Sequence, residues 1–198
     1  MLFLYFLSKY RLKIYEIRDY HYGEPGELFH RLNQSVKLTS AEQRNSFYGK
    51  IRYEISNLVQ LMAEQGVDSS LLGFGNSRMA YNDLLTRVCY FIEADTIRTA
   101  VSDKALTQRS RAEEGFSDDI LSAVKTSIEF LGKLSKGDNV SALSLTKASS
   151  LSWMYFLSNQ HIGTNTFETE IYLKAFYVLE KSRSAIKNNE QLSSDIFT

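Results

Sequence analysis

The chain has 198 residues and a mass of 22.7 kDa, is 43% hydrophobic and 23% charged, and sets 23 basic side chains against 23 acidic ones. That length suits one domain, or one and a fraction, with enough chain to bury a core, and the composition excludes bulk disorder. Zero net charge excludes holding nucleic acid by overall charge alone, and one cysteine excludes a disulfide framework or a cysteine-cluster zinc site.

The chain opens Met-Leu-Phe-Leu-Tyr-Phe-Leu, with its charges, Lys9, Arg11 and Lys13, after the apolar run. A signal peptide has positive charge before that run and a small-residue cleavage site after it, so these residues read as a core segment, a short helix over 2–9. No apolar run approaches the roughly 18 residues that cross a membrane, and the expected location is the cytoplasm. Residues 11–18, Arg-Leu-Lys-Ile-Tyr-Glu-Ile-Arg, mix β-branched and aromatic residues with charge and predict a strand. An opening inside an apolar segment raises the expectation of a missing N-terminal half. Gly23, Pro25 and Gly26 mark a turn, with Pro25 just inside a helix that carries residues 27–32.

Thr39-Ser40-Ala41-Glu42 has the spacing of a capping box and predicts the start of one long helix. Phe47, Ile51, Ile55, Leu58 and Met62 form its apolar stripe, and Gly66 its stop. After a loop with Gly73 and Gly75, a helix over about 77–94 turns Leu84, Leu85, Val88, Phe91 and Ile92 inward. A polar helix over about 102–114 ends at Gly115. Ser117 caps the next, with Ile120, Leu121, Val124, Ile128 and Leu131 at helical spacing. A serine-rich helix carries Leu151, Trp153, Met154 and Phe156. The last, about 166–187, places Phe167, Ile171 and Leu179 inside, and the polar residues 188–198 follow it. With one proline and ten glycines as breakers, this is a mainly α chain. The pattern predicts a helical bundle with a short N-terminal β remnant, divided into a segment 1–66 and a continuous bundle 67–198.

Most chemical motifs are missing. There is no phosphate-binding Gly-x-x-x-x-Gly-Lys-Ser/Thr loop, and Gly73-Phe74-Gly75 is only half a dinucleotide fingerprint, with Arg78 at its third position. Cys89 lies in an apolar helical run and reads as a buried, inert thiol. His21, His30 and His161 have no metal-ligand spacing. The pairs Glu113-Glu114 and Asp118-Asp119 sit at helix ends, where carboxylates favour a helix N-terminus or face solvent. Tyrosines at 5, 10, 15 and 20 interleave with Lys9, Arg11, Lys13 and Arg18. A five-residue step keeps no single face of a strand, so a half-buried strand is favoured over a base-stacking platform.

One segment carries a signal: Glu27-Leu28-Phe29-His30-Arg31-Leu32-Asn33, then Val36-Lys37-Leu38-Thr39, then Glu42-Gln43-Arg44-Asn45. Arg31 and Arg44 can grip phosphate or carboxylate in fork geometry. Asn33 and Asn45 each offer a donor and an acceptor, suited to a sugar or a base edge, and Glu42 can close the capping box or hold an arginine. The alternative is that these groups only pin two helices together.

The segment resembles the second half of the ParB/sulfiredoxin-like domain at the N-terminus of GmrSD-type modification-dependent restriction enzymes. The resemblance rests on Phe29, Arg31, Leu32, Asn33, Leu38, Thr39, Glu42, Arg44 and Asn45 within about 10–65, and continues more weakly over residues 76–93, with Arg78 and Arg87, to about 185. It implies an incomplete α+β core and nucleotide-linked nucleic-acid processing in bacterial and phage conflict. By resemblance Asn33 contacts the nucleotide with Phe29 behind it, and Arg31, Glu42, Arg44 and Asn45 surround the same site. A complete relative uses a nucleoside triphosphate, with Mg2+ as its expected companion. The family's Asp-Gly-Gln-Gln-Arg signature and His-Asn-His nuclease module are absent from this sequence, and Gln34-Ser35 stands where relatives have glycines.

Phosphoryl transfer needs clamping from all sides, so one wall of a site implies a chain inactive alone. The expected function is thus a truncated or split member of that family, completed by a missing N-terminal half or partner chain. The alternative is a non-enzymatic helical module that binds a partner protein or DNA. A third reading is a remnant with no retained function. An unpartnered strand at 11–18 would favour a homodimer.

Overall fold

The computed structural model describes residues 14, 16, 18–19, 21–32, 38–95, 97, 101–136, 145–164 and 169–187. Its helices are α1 (Glu24–Leu32), α2 (Ser40–Ser46), α3 (Lys50–Gln65), α4 (Ser69–Leu72), α5 (Ala80–Glu93), α6 (Asp103–Ser110), α7 (Asp118–Ser135), α8 (Lys147–Thr164) and α9 (Thr169–Lys187), with a 3-10 turn at Ser77–Met79 before α5. The protein is mainly α, and no strand occurs among the described residues. The strand expected at 11–18, and with it the dimer it would support, falls mostly outside those residues. Of that stretch, Ile14, Glu16 and Arg18 are described; they have no regular structure and are exposed. The helix expected at 2–9 and residues 188–198 lie outside the described residues. No described helix is long and apolar enough to cross a membrane.

Four long helices make the core. α3 packs on α5 and α7, α8 packs on the same two, and α5 also touches α7, so the four close into a ring. Each contributes an apolar stripe at helical spacing. Ile51, Ile55, Leu58 and Met62 come from α3, Leu84, Leu85 and Val88 from α5, Val124, Ile128 and Leu131 from α7, and Met154 and Leu157 from α8. α3 and α7 approach closely at Gly132, where an added Cβ would meet backbone and side-chain atoms of Gln65 at about 3 Å.

The single long helix expected from Thr39 to Gly66 is two helices. α2 ends at Phe47, whose backbone is extended, and α3 begins after Gly49. Ser46 donates its hydroxyl back to the Gln43 carbonyl at 2.7 Å, competing with helix continuation, and Phe47 turns into the interior beneath the Arg111 guanidinium. Gly66 does end α3, at a φ of 76°, in the left-handed region that glycine adopts without strain. The helix expected over 102–114 ends at Ser110, short of Gly115.

α9 departs further from expectation. Phe176 is buried against Trp153, with ring centroids 4.8 Å apart, and against Phe130. Ile171 and Leu179, expected inside, are exposed at 60% and 57%, while Phe167 lies outside the described residues. The apolar residues of α9 encircle the helix, so one docked face leaves the others uncovered. An apolar groove of about 770 Å3 runs between α8 and α9, lined by residues that include Trp153, Phe156, Leu179 and Ile186.

Candidate functional site: a charged clasp and an anion cleft

α2 and α6 lie against the outer face of the ring and bring charge to it. The capping box forms at the start of α2. The Glu42 backbone N–H donates to Thr39 Oγ1 at 3.2 Å, and the Thr39 backbone N–H donates to Glu42 Oε2 at 2.7 Å. Arg78 donates to the same carboxylate through Nη2 at 3.0 Å and Nε at 3.3 Å. The Arg78 side-chain bonds, followed by the bond from the Thr39 backbone, hold the Glu42 carboxyl at about 2, below its ordinary 4.5. Arg78 and Met79 both have left-handed backbones, at φ 52° and 63°, and this strained turn sets Arg78 over Glu42.

Asp83 is the hub. Arg44 of α2 donates to its Oδ1, Arg87 one turn further along α5 donates to Oδ2 at 3.1 Å, and Lys147 at the start of α8 donates to Oδ2 at 2.7 Å. Arg87 also donates to Asp103 of α6 at 2.6 Å. One carboxylate therefore ties α2, α5 and α8 together, and Arg87 extends the tie to α6. Burial alone pushes the Asp83 carboxyl up, but the hydrogen bonds and charges of Lys147 and Arg87 bring it below the ordinary carboxylate range. Burial pushes the Arg44 guanidinium down, opposed by Asp83 and Asp103. Arg44 Nη1 is buried and makes no hydrogen bond among the described residues; Asp103 Oδ1 is 3.8 Å away.

Beside the clasp opens a cleft of about 430 Å3. Its lining includes Thr39, Ser40, Ser77, Arg78, Asp83, Arg87, Asp103 and Lys147. The charged layer has four cations, Arg44, Arg78, Arg87 and Lys147, against three carboxylates, Glu42, Asp83 and Asp103, an excess of one positive charge. Arg78 and Lys147 are about half exposed and lie with hydroxyls of Ser40 and Ser77 on the cleft wall. The geometry suits an anion with several oxygens. Glu42 and Asp83 are held ionised at neutral pH and are poorly placed to give up protons there. Asp83 and Asp103, which line the cleft, are already paired with Arg87 and Lys147.

The residues singled out from sequence divide. Glu42 and Arg44 are brought into one charged layer, where both are engaged in internal bonds. Asn45 lines a separate cavity of about 20 Å3 with Arg44, Asn82, Thr86 and Ser110, large enough for one water. The side chains of Phe29 and Arg31, and all of Asn33, lie outside the described residues. Asp83, Asp103 and Lys147 were not singled out; polar residues on otherwise apolar or capped helices were the available signal. Cys89 is buried and its thiol is pushed up by desolvation, as an inert core group should be. Among the described residues no cluster of His, Cys, Asp or Glu suits a metal ion.

Fold and cleft together define a helical module with a charged cleft on one face. No family profile, curated protein or solved structure matches the chain.

Proposed function

We propose that this chain is a binding component, inactive by itself, of a nucleotide-linked nucleic-acid-processing assembly of the restriction type. It contributes one wall of a site for a phosphate group of a nucleotide or nucleic acid. The observation that carries this reading is the convergence of Arg78, Arg87 and Lys147 on one cleft, in a layer where cations outnumber carboxylates. The resemblance at residues 29–45 and 76–93 supports it, because the Glu42 and Arg78 of that resemblance meet at the cleft edge.

Arg44 and Glu42 hold the wall in shape, while Arg78 and Lys147 face the anion. Isothermal titration with ATP and with inorganic triphosphate tests this. Lys147→Ala is expected to weaken binding about tenfold, the scale of one charge-assisted contact. Equal binding by Lys147→Ala and the unaltered chain, or no binding by either, overturns the cleft as the ligand site. Circular dichroism of the variant checks that the helices persist.

A further inference from the structure

A second surface, at the other end of α2, carries exposed aromatic rings. Tyr22, just ahead of α1, and Tyr48, between α2 and α3, lie with ring centroids 5.7 Å apart and planes inclined at 58°. They come from different elements, and yet Tyr22 is 81% exposed and Tyr48 42%. The Arg52 guanidinium stands 5.7 Å from the Tyr48 ring centroid. Arg111 lies 4.3 Å from the neighbouring Phe47 ring and pairs with Glu27 at 3.2 Å.

The pairing is built in at Gly26. A Cβ there would fall 2.6 Å from the Ser46 carbonyl oxygen and 3.5 Å from Tyr48 Cδ2. Only glycine lets α1 approach this closely, and the approach sets Tyr22 beside Tyr48. Rings brought together for burial would be covered, whereas Tyr22 is largely presented to solvent and Tyr48 in part, with the Arg52 guanidinium over the Tyr48 ring. Flat exposed rings beside arginine are the chemistry on which unpaired bases stack, tolerant of sequence because every base has a π-face.

We infer that Tyr22, Tyr48 and Arg52 form a stacking platform for the bases of single-stranded nucleic acid. The inference rests on the phosphate-cleft reading for the strand's backbone and adds the bases. α2 links the two surfaces, with Thr39 and Ser40 at the cleft and Tyr48 just past its far end. Seven helical residues rise about 10 Å, a separation that a short strand spans.

The test measures anisotropy of a labelled twelve-nucleotide oligo-dT and of a matched abasic strand, alongside the ATP titration. Tyr22→Ala and Tyr48→Ala are expected to weaken oligo-dT binding about five- to a hundredfold each, and Tyr48→Phe to keep it. Their ATP affinity is expected to be unchanged, and the abasic strand to bind the unaltered chain as weakly as oligo-dT binds Tyr48→Ala. Tyr22 is too exposed for its loss to unfold the chain, so that variant decides the matter if Tyr48→Ala is unstable. Equal oligo-dT binding by Tyr22→Ala and the unaltered chain overturns the platform. So does ATP binding without oligo-dT binding, which leaves the cleft standing. Absence of both ligands removes the cleft reading as well.

Discussion

The ring of α3, α5, α7 and α8 and the charged layer laid on it by α2 and α6 are stabilised in opposite ways. In the core built on the ring, two dozen buried side chains among the described residues share the load, and each makes non-directional contacts that a neighbour partly replaces. In the charged layer one carboxylate, Asp83, receives three cations from three helices. The ring gives a scaffold that tolerates change in degree. The clasp gives a fixed shape to a polar face, and it has no spare part. A face that crowds several cations needs the second kind of order, because like charges repel and only carboxylates placed between them hold them together.

The largest effects should come from cutting each region at its centre. Phe130 is fully buried against Phe176, so Phe130→Ala should lower unfolding free energy by about 3–5 kcal/mol in urea denaturation. Asp83→Ala should cost a similar amount, about 3–5 kcal/mol, since it leaves the buried Arg44 guanidinium uncompensated. The two losses differ in how they are rescued. Replacing the pair together, Arg44→Met with Asp83→Leu, should recover most of the loss, because an apolar pair of similar volume carries no desolvation penalty. No second substitution restores Phe130→Ala so directly. If the double variant is as unstable as Asp83→Ala, the clasp is held by more than its central ion pair.

The same contrast explains what was legible in the sequence. The ring was, because burial in a helix repeats every three or four residues, as Ile51, Ile55, Leu58 and Met62 do. Periodicity is blind to a chain break that keeps phase. Phe47 continues the stripe and is buried, although an extended link separates α2 from α3. It also misjudged α9, where apolar residues around the whole helix give no single inward face and Ile171 stays exposed. In the charged layer, Glu42 was legible as half of a capping box because that interaction is local. The tie from Arg44 to Asp83 spans 39 residues, and that from Lys147 to Asp83 spans 64. Such pairs have no period, so an arginine that looks suited to a ligand can as well be spent on the interior, as Arg44 is.

A smaller effect separates the cap from the clasp. Thr39 accepts from the Glu42 backbone N–H and belongs to neither the ring nor the Asp83 hub. Thr39→Ala should cost about 0.5–2 kcal/mol, read as a lower urea midpoint with an unchanged slope. Thr39→Ser should keep most of it, since the hydroxyl is the capping group. A loss as large as that of Asp83→Ala would mean that cap and clasp open as one unit.

The smallest and most selective probe is acid. The Glu42 carboxyl sits at about 2 in the folded chain, against an ordinary 4.5, through its bonds from Arg78 and Thr39. A depressed folded value means that the ionised group favours the folded state. Its contribution is complete above pH 4.5, shrinks as pH falls below that, and is gone once pH passes below about 2. Asp83 is also depressed and adds its own loss on acidification, so the midpoint of the unaltered chain alone does not isolate Glu42. The difference in Tm between the unaltered chain and Glu42→Gln does. That difference should be positive and constant from pH 7 to 5 and should narrow steadily from pH 4.5 towards 2. A difference that stays flat across that interval would show that neither Arg78 nor Thr39 holds Glu42 ionised in solution. The strained turn at Arg78 and Met79 would then hold the arginine for the cleft alone.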